Sequence, residues 1–159
     1  MRKSSPKRKR KTNKKLTKSP KRPRKARKRL ETIKHLKMRL WTLVSLYVRK
    51  RDKYKCVTCE ATGISMDCGH YRHNGERNMS LGGNALWYDL RNLNCQCSFN
   101  CNKNLSGNLT NYAIFLEKKY GTGILQELDR LYRTYKMWTR EELLEKIAWF
   151  EKELENMVY

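Results

Sequence analysis

Two short cysteine pairs set the terms on which the middle of this chain can fold. Cys56-Val57-Thr58-Cys59 is a knuckle, and about forty residues later Cys97 and Cys101 form a second pair with three residues between them. Tetrahedral zinc takes four soft ligands, and two short segments giving two thiolates each is the usual arrangement of a structural site. Cys95 competes with Cys97 for a place in it, whereas Cys68 stands outside both pairs and reads as a small packed residue. Residues 52–108 hold only short apolar runs among Asn, Gly and polar stretches, with Gly82-Gly83 marking a loop. So little apolar material implies a fold held by something else, most simply a metal.

The flanks read as helices. From Leu30 to Arg51 the apolar residues Ile33, Leu36, Leu40, Leu43, Val44 and Tyr47 recur three or four apart with Lys and Arg between them, the pattern of an amphipathic helix with a basic outer face on which His35 is a surface residue. Tyr112, Phe115, Leu116 and Tyr120 form a helix ending at Gly121-Thr122-Gly123, and Leu125, Leu128, Leu131, Tyr132 and Tyr135 form another. Thr139 with Glu142 three residues on is a capping box opening a last helix, with Leu143, Ile147, Phe150, Leu154 and Met157 on one face. Six Glu against three basic residues make that helix acidic, so it should turn away from DNA, packing on the domain in preference to pairing with a second subunit.

Charge points to the class of partner. The chain has a formal net charge of +22, and residues 1–29 carry 17 of its 37 basic residues and no acidic ones. All aromatic residues begin at Trp41, so the first segment has almost nothing to bury and is expected to be a disordered tail until it meets a polyanion. Runs such as Lys7-Arg8-Lys9-Arg10 and Lys21-Arg22-Pro23-Arg24-Lys25 suit nucleic-acid phosphate, with counterion release giving salt-sensitive affinity and no sequence specificity, in preference to a nuclear address, a membrane-surface patch or a solubilising tail. No apolar run approaches the roughly 18 residues of a membrane span, and no apolar signal opens the chain, so an intracellular, cytoplasmic protein with reduced cysteines is expected.

Between the pairs lie Asp67-Cys68-Gly69-His70-Tyr71 and Arg91-Asn92-Leu93-Asn94, and Asn102 directly follows Cys101. A hard cation such as Mg²⁺ takes a few side-chain oxygens and keeps its waters, which Asp67 and an Asn amide can supply. A neighbouring His can take a proton from water. Arg72, His73, Arg77 and Lys103 are either phosphate contacts or solvated loop cations.

These residues carry a resemblance. A Cys-x-x-Cys knuckle, a His ending a short strand, an Asn before the second pair and an Asn after it look like the ββα-metal, or HNH, nuclease module. Tyr47-Val48-Arg49-Lys50-Arg51-Asp52, Asp67-Cys68-Gly69-His70-Tyr71-Arg72, Arg91-Asn92-Leu93-Asn94-Cys95-Gln96-Cys97 and Leu105-Ser106-Gly107-Asn108 resemble more closely the phage recombination family NinG, also called Rap, over residues 38–121. The resemblance implies an α+β fold: a zinc-stabilised HNH-like module over 53–108, flanked by the basic helix at 30–52 and a helical region at 109–159, with the tail at 1–29.

It also implies a metal-dependent endonuclease cutting Holliday junctions and other branched DNA in phage recombination, in a bacterial host and beside phage or host recombination proteins. In that picture His70 is the general base, Asp67 and Asn102 hold Mg²⁺ or Mn²⁺, Asn92 or Asn94 orients His70 or its loop, and Cys56, Cys59, Cys97 and Cys101 bind structural zinc. In the wider module the acidic ligand often directly precedes the His, a place taken here by Gly69. The rival readings are a non-catalytic zinc-ribbon nucleic-acid binder and an HNH nuclease cutting duplex at a sequence. Residues 30–159 contain no major-groove reading motif, which favours structure over sequence recognition. Two symmetric nicks would suit a homodimer.

Overall fold

A computed structural model describes residues 30–73 and 83–157. The tail, with Lys7, Arg8, Lys9, Arg10, Lys21, Arg22, Arg24 and Lys25, lies outside the described residues, as do Arg77 and Gly82.

Helix α1, Ile33–Arg51, starts where the Thr32 side chain accepts from the His35 amide at 3.2 Å. Leu36, Leu40, Val44 and Val48 fall four apart and are fully buried, which makes one continuous apolar stripe. Arg49, Lys50 and Arg51 occupy its last turn, where cations meet the negative end of the helix dipole. The stripe packs on Leu143, Ile147 and Phe150 of the last helix, which the Thr139–Glu142 capping box opens. The apolar face of the acidic helix is therefore spent on the core.

Strands β1, Met66–His70, and β3, Leu93–Cys97, pair antiparallel with Cys68 opposite Cys95 and His70 opposite Leu93. Side chains alternate across a strand, so Met66, Cys68 and His70 share one face with Leu93, Cys95 and Cys97. Cys68 and Leu93 enter the α1 core, and Met66 joins the cysteine cluster. The other face carries Asp67, Gly69, Asn94 and Gln96. It is polar but buried, with Asn94 and Gln96 fully covered. Its groups find partners: Asn94 donates to the Tyr112 hydroxyl at 3.1 Å, Tyr112 donates to the Gly69 carbonyl at 3.1 Å, and Gln96 donates to the Gly107 carbonyl at 2.7 Å.

A π-helical turn at Ser98–Asn104 and helix α2, Leu109–Tyr120, form that cover, giving a strand–strand–helix order. Tyr112 and Leu116 of α2 pack with Leu86, and with Ile124 and Leu128 of α3, Ile124–Arg133. Helix α3 ends earlier than the periodicity predicts. Tyr135 is in β4, Tyr135–Lys136, which pairs with β2, Gly83–Asn84; Thr134 is extended and its carbonyl accepts from Ala85 at 3.0 Å, so sheet bonding replaces another helical turn. Helix α4, Arg140–Asn156, completes the order.

A buried ion pair fastens α1 to the hairpin. Asp52 caps α1, grips Arg51 through two bonds of 2.8 and 2.9 Å, and accepts from the Cys95 amide at 2.8 Å. Arg51 donates onward to the Leu90 and Leu93 carbonyls and to Asn94. The side chains are 19% and 8% exposed. Removing one member of such a pair strands the other, so Asp52→Ala should cost about 3–5 kcal/mol in chemical denaturation, against less than about 1 kcal/mol for Glu151→Ala in the exposed Arg39–Glu151 pair. Equal losses would show that the pair does not hold the hairpin.

Candidate metal centre and cleft

The four sulfurs of Cys56, Cys59, Cys97 and Cys101 lie within 4.8 Å of one another. A zinc–sulfur bond of about 2.3 Å makes the edge of a tetrahedron about 3.8 Å, and the Cys59–Cys97 sulfurs are 3.8 Å apart. The donor set fits zinc. Two different local structures bring the ligands together. The first pair sits on a tight turn, where the Glu60 amide donates to the Cys56 carbonyl at 2.8 Å and Glu60 adopts φ +61°. The second pair belongs to a helical turn: Cys97 caps the π-helical segment, and a four-residue spacing returns Cys101 to the same side. Three intervening residues are thus a helical spacing.

The cluster leaves Cys95 out, which decides the competition with Cys97. Polar groups surround the ligand sulfurs. The Cys101 amide donates to Cys97 at 3.2 Å, Asn108 donates to Cys101 at 3.6 Å, and the Thr58 hydroxyl lies 3.2 Å from the Cys56 sulfur. Burial works to raise the Cys56 pKa, but hydrogen bonds from Thr58 and backbone amides outweigh it and bring the thiol down to about 6. Desolvation, with neighbouring thiols, pushes Cys59 up to about 12. Crowded thiols cannot all ionise without a cation among them.

At the far end of β1, His70 stacks on Trp41 of α1, with ring centroids 5.1 Å apart and planes 14° from parallel. Its Nε2 is buried without a hydrogen-bond partner. Burial first, then the charge of nearby His73, lowers its pKa from 6.5 to about 4, so the ring is neutral at neutral pH. Asn92 clamps the chain just beyond it: its Oδ1 accepts from the Arg72 amide at 2.8 Å and its Nδ2 donates to the Arg72 carbonyl at 3.1 Å. Asn94 makes no such contact, being held by Arg51, Tyr112 and the Arg91 carbonyl.

Asp67 and Asn102 meet on the opposite face of the hairpin, where Asn102 Nδ2 donates to Asp67 Oδ2 at 3.0 Å. Asp67 and His70, three residues apart on an extended strand, are separated by about 10 Å along it and point to opposite sides. A single water cannot touch both. Asn102, however, reaches the groove that His70 lines. This open cleft of about 690 Å³ is bounded by His70, Arg72, His73, Asn102, Lys103 and Tyr132 among others. A carboxylate and an amide in contact suit a hard cation. Among the described residues only the four cysteines assemble three or more thiol, imidazole or carboxylate ligands, so such a cation would draw most of its coordination from water and phosphate.

Gly69 explains why no acid adjoins His70. A Cβ there would meet Gln96 Cδ at 2.8 Å, since that side chain crosses the position on its way to Gly107. Arg72 is tied to Asp129 of α3 at 3.0 Å, while Lys103 is exposed on the cleft. Sequence reasoning missed Trp41 as the ring against His70; in the sequence it is one more apolar residue of an amphipathic helix.

A family model described as Bacteriophage Lambda NinG protein matches residues 1–158. Over 116 residues the chain is 29% identical to Protein ninG of Salmonella phage P22, covering 72% of this chain and 53% of that protein. It is 29% identical to Protein ninG of Escherichia phage 933W, with 72% and 54% covered, and 28% identical to that of Escherichia phage lambda, with 72% and 53% covered. The chain thus spans about half the length of the curated relatives it matches. No solved structure matches it.

Elemental analysis should find one zinc per chain. Cys97→Ser should lose the zinc and unfold the hairpin, because metal binding and folding are linked in such sites, while Cys95→Ser should keep it; the reverse pattern would exchange their roles. A second outcome concerns acid. Above pH 6.5 the His70 ring is neutral folded or unfolded, whereas between 6.5 and about 4 the unfolded chain takes up a proton that the fold refuses. Stability should therefore fall across that window, and His70→Phe, which keeps a ring on Trp41, should remove on the order of 3 kcal/mol of that fall. Denaturation curves of identical pH dependence would refute the burial.

Proposed function

The chain belongs to the NinG family of bacteriophage lambda, and on that basis we propose that it is a metal-dependent endonuclease that cuts branched DNA, such as Holliday junctions, during phage recombination. The observation that carries the proposal is the cleft. A neutral imidazole with an unpartnered buried Nε2 lines the same groove as Asn102 and the exposed Lys103, at the end of a hairpin followed by a helix. That order agrees with the ββα-metal resemblance.

In this reading the His70 imidazole, through the ring edge that lines the cleft, accepts a proton from the water that attacks the phosphodiester. Asn92 fixes the loop leaving β1 and so the direction of the ring. Lys103 binds the scissile phosphate, and Arg72, already paired with Asp129, shapes the wall. Asp67 and Asn102 would hold Mg²⁺ or Mn²⁺, which when bound supplies positive charge against the charge developing on the phosphate oxygens. The products carry a 5′-phosphate and a 3′-hydroxyl. The tail at 1–29 contributes affinity that depends on salt, and two symmetric nicks on a four-way junction would be made by a twofold dimer. Among the described residues no helix is long and apolar enough to cross a membrane.

One observation favours a second reading, a non-catalytic zinc-dependent nucleic-acid binder: Asn102 turns its amide nitrogen to Asp67, a self-satisfied pair. A four-way junction and a linear duplex of the same sequence, incubated with and without Mg²⁺ or Mn²⁺, separate the two. The nuclease should nick the junction preferentially and only with metal, and His70→Ala should lose about 100-fold or more in cleavage rate while binding the junction almost as wild type does. An equally active His70→Ala protein would remove His70 from the chemistry. Binding without cleavage by the wild-type chain would establish the second reading.

A further inference from the structure

His73 stands three residues beyond His70, on the same cleft, and the nuclease reading gives it no task. The two ring centroids are 6.4 Å apart with planes inclined at 53°, so the rings are not stacked and present their edges differently to the groove. Their surroundings differ sharply. His70 lies against Trp41 with its Nε2 enclosed, whereas His73 is exposed and, among the described residues, makes no hydrogen bond or ion pair that would tie down its N–H. In-line displacement at phosphorus needs a proton acceptor on the attacking side and relief of charge on the leaving oxygen opposite. Two imidazoles, each reaching about 3 Å by hydrogen bond, can bracket one phosphodiester across a gap of this size.

We propose that His73 is a second catalytic residue, the general acid that protonates the departing 3′-oxygen. This deepens the nuclease reading and rests on it. Water oxygen bonds to phosphorus as the neutral His70 ring takes its proton. The bond from phosphorus to the 3′-oxygen breaks, its electron pair stays on that oxygen, and the imidazolium of His73 supplies the proton that makes the 3′-hydroxyl. His70 ends protonated and His73 neutral, and exchange with solvent resets both. Their division of labour comes from environment, since the enclosed ring is kept neutral to accept and the exposed one is open to the leaving oxygen. The charge of His73 already contributes to the lowered pKa of His70, which supports their proximity.

The test uses the full chain with Mn²⁺ and two four-way junctions identical except at the cut bond, one with the ordinary linkage and one with sulfur replacing the bridging 3′-oxygen. A thiolate leaves without needing a proton. His73→Ala should slow cleavage of the oxygen junction on the order of 100-fold but that of the sulfur junction by less than about threefold, with junction affinity and zinc content unchanged. Equal losses on both junctions, or full activity of His73→Arg on the oxygen junction, would make His73 a phosphate-binding cation and overturn the assignment. Failure of the wild-type chain to cut either junction would instead remove the nuclease reading on which it stands.

Discussion

Four cysteine sulfurs brought within 4.8 Å of one another are the constraint on which the rest of the fold depends. Two come from the turn after α1 and two from the junction of β3 with the π-helical segment, so one ion would tie segments about forty residues apart in sequence. That tie sets positions along the hairpin, which leaves the cysteines at Met66 and Cys97 and reaches its other end at His70 and Leu93. The Arg51–Asp52 pair fastens the middle of β3 to the end of α1, through Cys95 and Asn94. The cleft is thus held from two sides by groups that take no part in it.

The hairpin spends its polar face on structure. Asn94, Gln96 and the Gly69 carbonyl are consumed by hydrogen bonds to Arg51, Tyr112 and Gly107 under α2. Burial of such groups is tolerable because most of them find partners; the Gln96 Oε1 has none and lies against Gly69. The crowding has a chemical consequence. A side chain at position 69 would have to displace Gln96 from its place, and the carboxylate nearest His70 along β1 is Asp67, on the same face as Gly69 and turned toward Asn102.

Much of this was legible in the sequence where one residue type carries one job. Three members of the cysteine cluster, Cys56, Cys59 and Cys101, followed from spacing, with Cys95 and Cys97 left competing for the fourth place; α1 followed from its four-residue apolar repeat, and the start of α4 from Thr139 and Glu142. What was not legible depends on contacts between segments distant in sequence. Trp41 reads as a core residue until β1 is laid against α1. Asn92 and Asn94 are held by different segments, one by the Arg72 backbone just past the end of β1 and the other by Arg51 and Tyr112 in the core. The short β2–β4 pair takes Tyr135 out of a helix that its own periodicity favours, because the Ala85 amide offers Thr134 a sheet partner. Asp67 and His70 looked like one site because they are close in sequence. The two-residue period of a strand places them on opposite faces.

Charge pairing finally sorts the cations that bulk charge cannot. Arg39 is matched by Glu31 and Glu151, Arg91 by Asp89 and Glu127, Lys136 by Glu142, and Arg72 by Asp129. A cation with a carboxylate already beside it must give up that contact, or share it, to meet a phosphate. Lys103 makes no ion pair among the described residues and stands exposed on the cleft that His70 and His73 also line. The acidic α4, by contrast, answers cations of α1 and of the segment after α3. The net positive charge outside the tail is modest, yet Lys103 leaves part of it uncompensated at the groove that the two imidazoles also line.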